Sequence, residues 1–317
     1  MNKQNRISSL RCSRIVSNKE IAPGHYRMAI MAPEIARHAR PGQFVHVRCD
    51  AGRETLLRRP FSIHRIGSRF SVRGSRAHTE NRKPNTIEIL YKVIGKGTEI
   101  LSQRKLGEKL DIIGPLGNGF AISPKSLNPI LVAGGIGAAP LLFLAEKLVR
   151  LSVSGSRLVV IIGARTKKLL LCEDEFKKLG VEVIVATEDG SKGKKGLASE
   201  VLLELLRTPN TEHRTPNLYG CGPRPMLKEL AKIAKQYKIP SQVSLEERMA
   251  CGLGACMGCV VKTRFSVSGS RLSAHTLPCP GLLPAGRRQQ GANRTPYTEY
   301  KRVCSDGPVF DADEVVW

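Results

Sequence analysis

The chain has 317 residues, 41% of them hydrophobic and 30 of them glycine, enough for two or three domains with cores of their own. Its longest apolar stretch, 130–149, is broken by glycines, Pro140, Glu146 and Lys147, so a membrane span is not expected. The net charge of +24 invites a nucleic-acid partner, yet +9 of it sits in two polar segments, 68–86 and 264–296, with no zinc finger, RNP-type aromatic strand or glycine-lysine loop beside them; no nucleic acid is expected.

The N-terminal MNKQNRISSLRC is basic but has no apolar core, so no secretory signal is expected. Nine cysteines without a disulfide framework suit a reducing cytoplasm. Residues 10–125 then carry short alternating stretches such as GQFVHVRC and TIEILYKVIG between Gly/Pro turns, the pattern of an antiparallel β-barrel. Within it, LLRRPFSIHR brings Arg59, Pro60, Phe61 and Ser62 together. An arginine grips diphosphate, an aromatic stacks on a flat ring, and a hydroxyl bonds a heteroatom. Some 35 residues on, Gly95, Gly97 and Thr98 of YKVIGKGTEILS precede a predicted helix whose N-terminus suits a second phosphate face. The two motifs together predict a flavin nucleotide site; each alone also reads as an ordinary barrel strand or turn.

Residues 126–242 alternate strands (NPILVAGG, RLVVIIGA, VEVIVATED, PNLYGCG) with helical stretches (PLLFLAEKLV, EDEFKKLG, MLKELAKIAKQY), which predicts an α/β domain with a mainly parallel sheet. Gly134, Gly135 and Gly137 of ILVAGGIGAAP allow close approach of a dinucleotide, although the spacing is not G-x-G-x-x-G. Cys221, Gly222 and Pro223 of LYGCGPRPML fall at the carboxyl edge of the same sheet. Cys221 has no evident histidine base among the seven histidines, so a thiol beside a nicotinamide, or a merely buried one, fits better than a covalent catalyst. Arg165, Lys167 and Lys168 lie after a strand, where a 2′-phosphate of NADP would sit, or are simply solvated.

Residues 243–317 form a small cysteine domain. Cys251, Cys256 and Cys259 in CGLGACMGC have the C-x4-C-x2-C spacing of a plant-type [2Fe-2S] loop, which takes its fourth thiolate from farther along the chain. Gly252, Gly254 and Gly258 let the backbone wrap closely and aim N–H groups at sulfur. Structural zinc also takes four thiolates, though it favours two CxxC pairs and one is present. A redox dithiol is the third reading. Cys304, in a compact turn of YKRVCSDGPVF, is the expected fourth ligand; Cys279 competes by position but lies in an insertion-like tract. Cys12, Cys49 and Cys172 read as bystanders.

A short word recurs as RFSVRGSR at 69–76, LSVSGSR at 151–157 and RFSVSGSR at 264–271, with an echo TPNTEHRTPN at 208–217. Each copy falls between compact elements. This predicts loop expansions at 68–86 and 264–296 in preference to a solenoid, with a basic docking arm as the rival reading.

These residues resemble a known family. RRPFS resembles the flavin motif of the ferredoxin–NADP reductase superfamily, and GKGT, GPLGNGF, AGGIGAAP, YGCGPRPML, LEERMACGLGACMGC and YKRVCSDGPVF match, in that order, the electron-transfer subunits of class B dihydroorotate dehydrogenases. The resemblance implies FAD with Arg59 on its diphosphate, Phe61 packed on the isoalloxazine, Ser62 near flavin N5, and Gly97 and Thr98 on the other side of the diphosphate. It implies NAD+ at Gly135, Gly137 and the Cys221–Pro223 loop, and a [2Fe-2S] cluster on Cys251, Cys256, Cys259 and Cys304. No side chain of this chain is implied as a catalytic acid, base or nucleophile. The implied partner is an FMN-containing catalytic subunit, in a two-plus-two heterotetramer serving pyrimidine biosynthesis in the cytoplasm. Related subunits that exchange electrons with ferredoxin, polysulfide or hydrogenase share the architecture, but they carry glycine where this chain has Met257. The family's spacer before the fourth cysteine is about a dozen residues; here it is far longer, so 264–296 is expected to loop out. A zinc-stabilised interaction protein is the reading from another class.

Overall fold

The computed structural model describes residues 8–50, 52, 54–67, 84–122, 128–151, 157–207, 216–265 and 297–317. Most of each repeated word, most of the two predicted expansions, and Cys279 lie outside the described residues.

The first body is a closed six-stranded antiparallel barrel built from β1 (Ser8–Ala22), β2 (His25–Met31), β3 (Phe44–Arg48), β4 (Arg59–Gly67), β5 (Thr86–Lys92) and β6 (Lys109–Leu116), in the order β1-β2-β5-β4-β3-β6. The period of two explains closure: Val45 and Val47, Ile63, Ile87 and Ile89, Leu110 and Ile112 all bury into one shared interior. A short helix α1 (Pro33–His38) covers one part of the barrel and α2 (Lys96–Gln103) follows β5. Asn18 ties α2 down: its Nδ2 donates to the carbonyls of Leu101, Ser102 and Arg104 at the helix's C-terminal end, at 3.0–3.1 Å, while its Oδ1 accepts the Tyr91 hydroxyl at 3.0 Å. Gly67 and Thr86 are register partners, so the chain leaves and re-enters the barrel at one point, and Thr86, expected in the expansion, belongs to β5.

The second body is a seven-stranded sheet. It comprises β7 (Pro129–Gly134), β8 (Val159–Ala164), β9 (Glu182–Thr187), the two-residue β10 (Lys194–Lys195), β11 (Asn217–Cys221), β12 (Ser241–Ser244) and, from the chain's end, β15 (Val309–Asp311). Its order is β10-β9-β8-β7-β11-β12-β15, parallel except for β15. Helices α3 (Ala138–Leu151), α4 (Glu173–Lys178), α5 (Ala198–Arg207) and α6 (Arg224–Tyr237) cover it. β7 is buried along its whole length, with Ile130 and Val132 facing the core under α5 and α6, and Leu131 and Ala133 facing the core under α3. The predicted strands and helices all form. Helix α5 was not foreseen, although Val201, Leu202, Leu205 and Leu206 have helical spacing.

The remaining chain forms a two-stranded hairpin, β13 (Val260–Phe265) and β14 (Tyr297–Arg302), in which Phe265 pairs with Tyr297. Arg264 and Phe265, expected in the second expansion, are therefore strand residues. β15 then joins the central sheet, so the C-terminal segment is stitched to the α/β body.

Helix α3 packs on β4 and fixes barrel to sheet. The His64 ring nitrogen Nδ1 lies 3.0 Å from the Ala139 carbonyl, Arg65 Nε bonds Glu146 Oε1 at 2.6 Å, and Arg27 pairs with Glu175 at 2.8 Å. Burial outweighs the Ala139 hydrogen bond and pushes the His64 pKa down to about 3, so the ring is neutral in the folded chain. An unfolded histidine takes up a proton below about pH 6.5, and the folded one does not until much lower. The unfolded state therefore binds more protons in that window, and stability falls as the pH falls. Below about pH 6.5 His64 removes about 1.4 kcal/mol of stability per pH unit. Urea unfolding of wild type and His64→Asn between pH 7 and 5 measures this: the variant starts less stable but loses less per pH unit, and equal slopes would refute the account.

Candidate functional site

A cavity of about 780 Å³ opens between the barrel and the sheet, in the size range of a small-molecule site. Arg59, Pro60, Phe61 and Ser62 of β4 line it, with Tyr91 and Ile94 from β5 and its following turn, Thr98 of α2, and Ile136 and Ala139 from the turn and helix after β7. The two flavin motifs of the sequence thus meet in one pocket. Arg59 lies across Gly97: a Cβ there would sit 3.3 Å from Arg59 Nε. Arg59 Nη1 is braced by the carbonyls of Leu57 at 2.7 Å and Arg58 at 3.3 Å. The guanidinium and the positive end of α2 are therefore side by side, a cradle for diphosphate. The Gly95 N–H is already engaged by Thr98 Oγ1 at 3.2 Å, which leaves phosphate contact to the first-turn N–H groups of α2. Phe61 reaches the pocket from inside the barrel core, 8% exposed, its ring centroid 5.6 Å from that of Tyr91. Tyr91 was not foreseen as part of the site.

The turn after β7 sits where the sheet's connections diverge, with β8 on one side and β11 on the other, the crevice in which open α/β sheets take ligands. Its glycines divide the work. A Cβ on Gly137 would lie 2.1 Å from the Cys221 carbonyl, and one on Gly134 would lie 2.7 Å from Pro223. These two admit the Cys221–Pro223 loop itself, whereas Gly135, at φ +53°, has open space over it. Cys221 is 1% exposed, and burial pushes its thiol far above the ordinary range. A thiol so enclosed and so weakly acidic is poorly suited to nucleophilic attack. Glu246, whose charge acts on Cys221, lines the same pocket, and the surrounding walls raise its carboxyl pKa. LEERMACG gave no separate sign of that role.

The four cysteines come together from two segments. The Leu253 and Cys256 N–H groups each donate to Cys251 Sγ at 3.4 Å, the Gly254 N–H donates to Cys304 Sγ at 3.2 Å, and the Cys304 N–H donates to Cys259 Sγ at 3.4 Å. Although burial opposes it, these N–H donors, the Cys256 backbone first, hold the Cys251 thiol down to about 6; burial and then Cys259 push Cys304 up to about 12. The thiols stand as two neighbouring pairs, Cys251 with Cys256 and Cys259 with Cys304. Among the described residues no three His, Cys, Asp or Glu side chains gather as a single-ion site. Two cysteine pairs ringed by N–H donors fit a two-iron cluster, which takes two thiolates per iron. The hairpin β13–β14 explains how Cys304 reaches Cys259 across the long sequence gap.

This loop rests on the barrel. A Cβ on Gly252, at φ +69°, would lie 2.4 Å from His46 Nδ1. His46 is fully buried on β3 and is the register partner of Pro60 in the RPFS strand. Burial, then the Arg58 charge, lower its pKa to about 4; its ring faces the backbone of Cys251 and Arg58 without a hydrogen bond of ordinary geometry. The cysteine loop thus packs on β3, the strand paired with that of Arg59–Ser62.

Comparison with known proteins agrees with this geometry. Residues 131–232 match the family described as the oxidoreductase NAD-binding domain, and residues 246–271 and 289–316 match the iron-sulfur cluster binding domain of dihydroorotate dehydrogenase B. The second match breaks off inside the basic tract. The chain is 39% identical to the dihydroorotate dehydrogenase B (NAD(+)) electron transfer subunit of Desulforamulus reducens, over 94% of both chains. It is 37% identical to that of Caldanaerobacter subterraneus subsp. tengcongensis, over 96% of this chain and 98% of the relative. Among solved structures, an NADH-dependent reduced ferredoxin-NADP oxidoreductase aligns over 97% of this chain and 91% of its own, with TM-score 0.71 and 28% identity.

Two variants separate the competing fourth ligands. Cys304→Ser abolishes or strongly perturbs the cluster's EPR signal and lowers the iron content, whereas Cys279→Ser leaves both near wild type. Replacing 266–296 by a short hairpin turn between Phe265 and Tyr297 also keeps the signal. Iron analysis and EPR of the reduced variants check this; a requirement for Cys279 would reverse the assignment.

Proposed function

The chain belongs to the family of electron transfer subunits of NAD(+)-dependent dihydroorotate dehydrogenase B, and from that membership we propose how its own residues carry out the relay. Its function is to pass electrons from dihydroorotate oxidation to NAD+ in pyrimidine biosynthesis. We propose that an FMN-containing catalytic subunit oxidises dihydroorotate, that two of each subunit assemble, and that the complex works in the cytoplasm. The observation that carries the reading is the seating of Gly252 on His46, which sets the cysteine loop against the strand of Arg59–Ser62.

Bound FAD would supply a carrier that accepts electrons singly and delivers a hydride, and a bound [2Fe-2S] cluster a one-electron relay. Arg59 and the first turn of α2, at Gly97 and Thr98, hold the diphosphate. Pro60, Phe61 and Tyr91 line the cavity wall that would receive the flavin ring, and the Ser62 hydroxyl would offer it a hydrogen bond. Gly135 leaves room for the dinucleotide over the switch-point turn, and Gly137 lets the Cys221–Pro223 loop close the nicotinamide end. Cys251, Cys256, Cys259 and Cys304 hold the cluster. No side chain needs to attack dihydroorotate, which stays on the partner.

The nearest rival is a reductase subunit that exchanges electrons between NAD(P)H and ferredoxin, polysulfide or a hydrogenase. The 28% likeness to the ferredoxin-NADP oxidoreductase supports that architecture, while the 39% identity to the dihydroorotate enzymes supports the present reading.

Mixing the full chain with an FMN-containing dihydroorotate dehydrogenase subunit yields dihydroorotate-dependent NAD+ reduction; oxidation of dihydroorotate by this chain alone would contradict the division of labour. Arg59→Ala weakens FAD retention about 10- to 100-fold, the loss of a charge-assisted phosphate contact, as read by flavin release on dilution. Steady-state kinetics give a higher kcat/KM for NAD+ than for NADP+, despite Arg165, Lys167 and Lys168; a large preference for NADP+ would overturn that choice.

A further inference from the structure

Arg302 ends β14, two residues before Cys304, and its register partner is Val260, the residue after Cys259. Its guanidinium binds both halves of the ligand set. Nη1 donates to the Gly254 carbonyl at 2.8 Å, while Nε and Nη2 donate to the two carboxylate oxygens of Asp306 at 3.3 and 3.4 Å. The Arg302 backbone grips the same turn: its N–H donates to Asp306 Oδ2 at 2.7 Å, and its carbonyl accepts the Asp306 N–H at 2.8 Å. Gly254 is thereby held at both ends, its carbonyl by Arg302 and its N–H by Cys304 Sγ. At φ +82° with Ser305 3.0 Å from where its Cβ would be, Gly254 has little freedom to turn that N–H elsewhere.

The pair is also an electrostatic element. Arg302 Nε and Asp306 Oδ2 stand 3.3 Å apart as an ion pair in the turn that carries Cys304. One positive and one negative charge therefore stand beside the thiolates, and every electron the cluster accepts adds negative charge there.

We propose that Arg302 and Asp306 act as a positioning and redox-setting pair: Arg302 locks the Gly254 peptide so that its N–H meets Cys304, and the two opposed charges set the cluster's midpoint potential. The inference rests on the assignment of a [2Fe-2S] cluster to the four cysteines. Removing the cation leaves Asp306 uncompensated and disfavours the reduced cluster; removing the anion leaves Arg302 uncompensated and favours it. A role limited to holding the fold together gives no such pair of opposite signs.

EPR-monitored redox titration of the full-length chain carrying its cofactors tests it. Arg302→Met shifts the midpoint potential down and Asp306→Asn shifts it up, while Arg302→Lys keeps the potential near wild type but alters the EPR line shape through loss of the Gly254 contact. Should Arg302→Met fail to load, the upward shift in Asp306→Asn and the lysine variant still decide the matter. If wild type shows a normal cluster signal, shifts of the same sign or unmoved potentials in the variants overturn this inference and leave the cluster assignment standing. A wild-type chain without a [2Fe-2S] signal overturns the assignment, and the inference with it.

Discussion

The seating of the cysteine loop on the barrel depends on a close approach between a glycine and a buried imidazole. Gly252 takes a left-handed conformation on the His46 ring, and a methyl group at that position would stand 2.4 Å from Nδ1. The contact seats the cysteine loop on β3, the strand paired with the one that carries Arg59, Phe61 and Ser62. His46 suits the position because burial lowers its pKa to about 4, so it brings no charge under the cysteine loop and fills the space that a smaller side chain would leave open. A relay needs its stations within short reach and fixed, and a packed ring on a barrel strand fixes them better than a loop would.

The rest of the architecture holds three such relations in place. The barrel contributes one wall of the flavin pocket, and α3 clamps the sheet to it through His64, Arg65 and Phe143. The switch point between β7 and β11 opens toward the same cavity. The hairpin β13–β14 brings the fourth thiolate home, and β15 anchors that segment to the sheet edge. The barrel strand of Arg59–Ser62, the turn after β7 and the Ser244–Met249 segment that leads to the cysteine loop thus line one cavity.

Much of this was legible from residue patterns, because the signals were local. Alternating β-branched residues foretold the barrel, apolar runs ending in glycine foretold the parallel sheet, and C-x4-C-x2-C with a distant cysteine foretold the cluster loop. What escaped was set by contacts between residues far apart in the chain. His46 reads as an ordinary strand residue in GQFVHVRC, since Gly252 lies some 200 positions away. Tyr91, Glu246 and Arg302 acquire their positions only when barrel, sheet and hairpin are assembled. Gly134 and Gly137 looked like room for a ligand, yet they make room for another loop, and sequence spacing does not distinguish the two uses. The edges of the basic tract were misjudged by two residues because Arg264 and Phe265 owe their strand conformation to Thr298 and Tyr297 across the hairpin.

The most direct test is to follow both redox sites in the isolated, cofactor-loaded chain after anaerobic mixing with NADH, by stopped-flow absorbance for the flavin and freeze-quench EPR for the cluster. The account predicts that flavin bleaching is followed by the cluster's EPR signal at a rate independent of protein concentration, as transfer within one molecule requires. A reduced flavin with a cluster that stays oxidised, or is reduced only in a phase that accelerates with protein concentration, would contradict it.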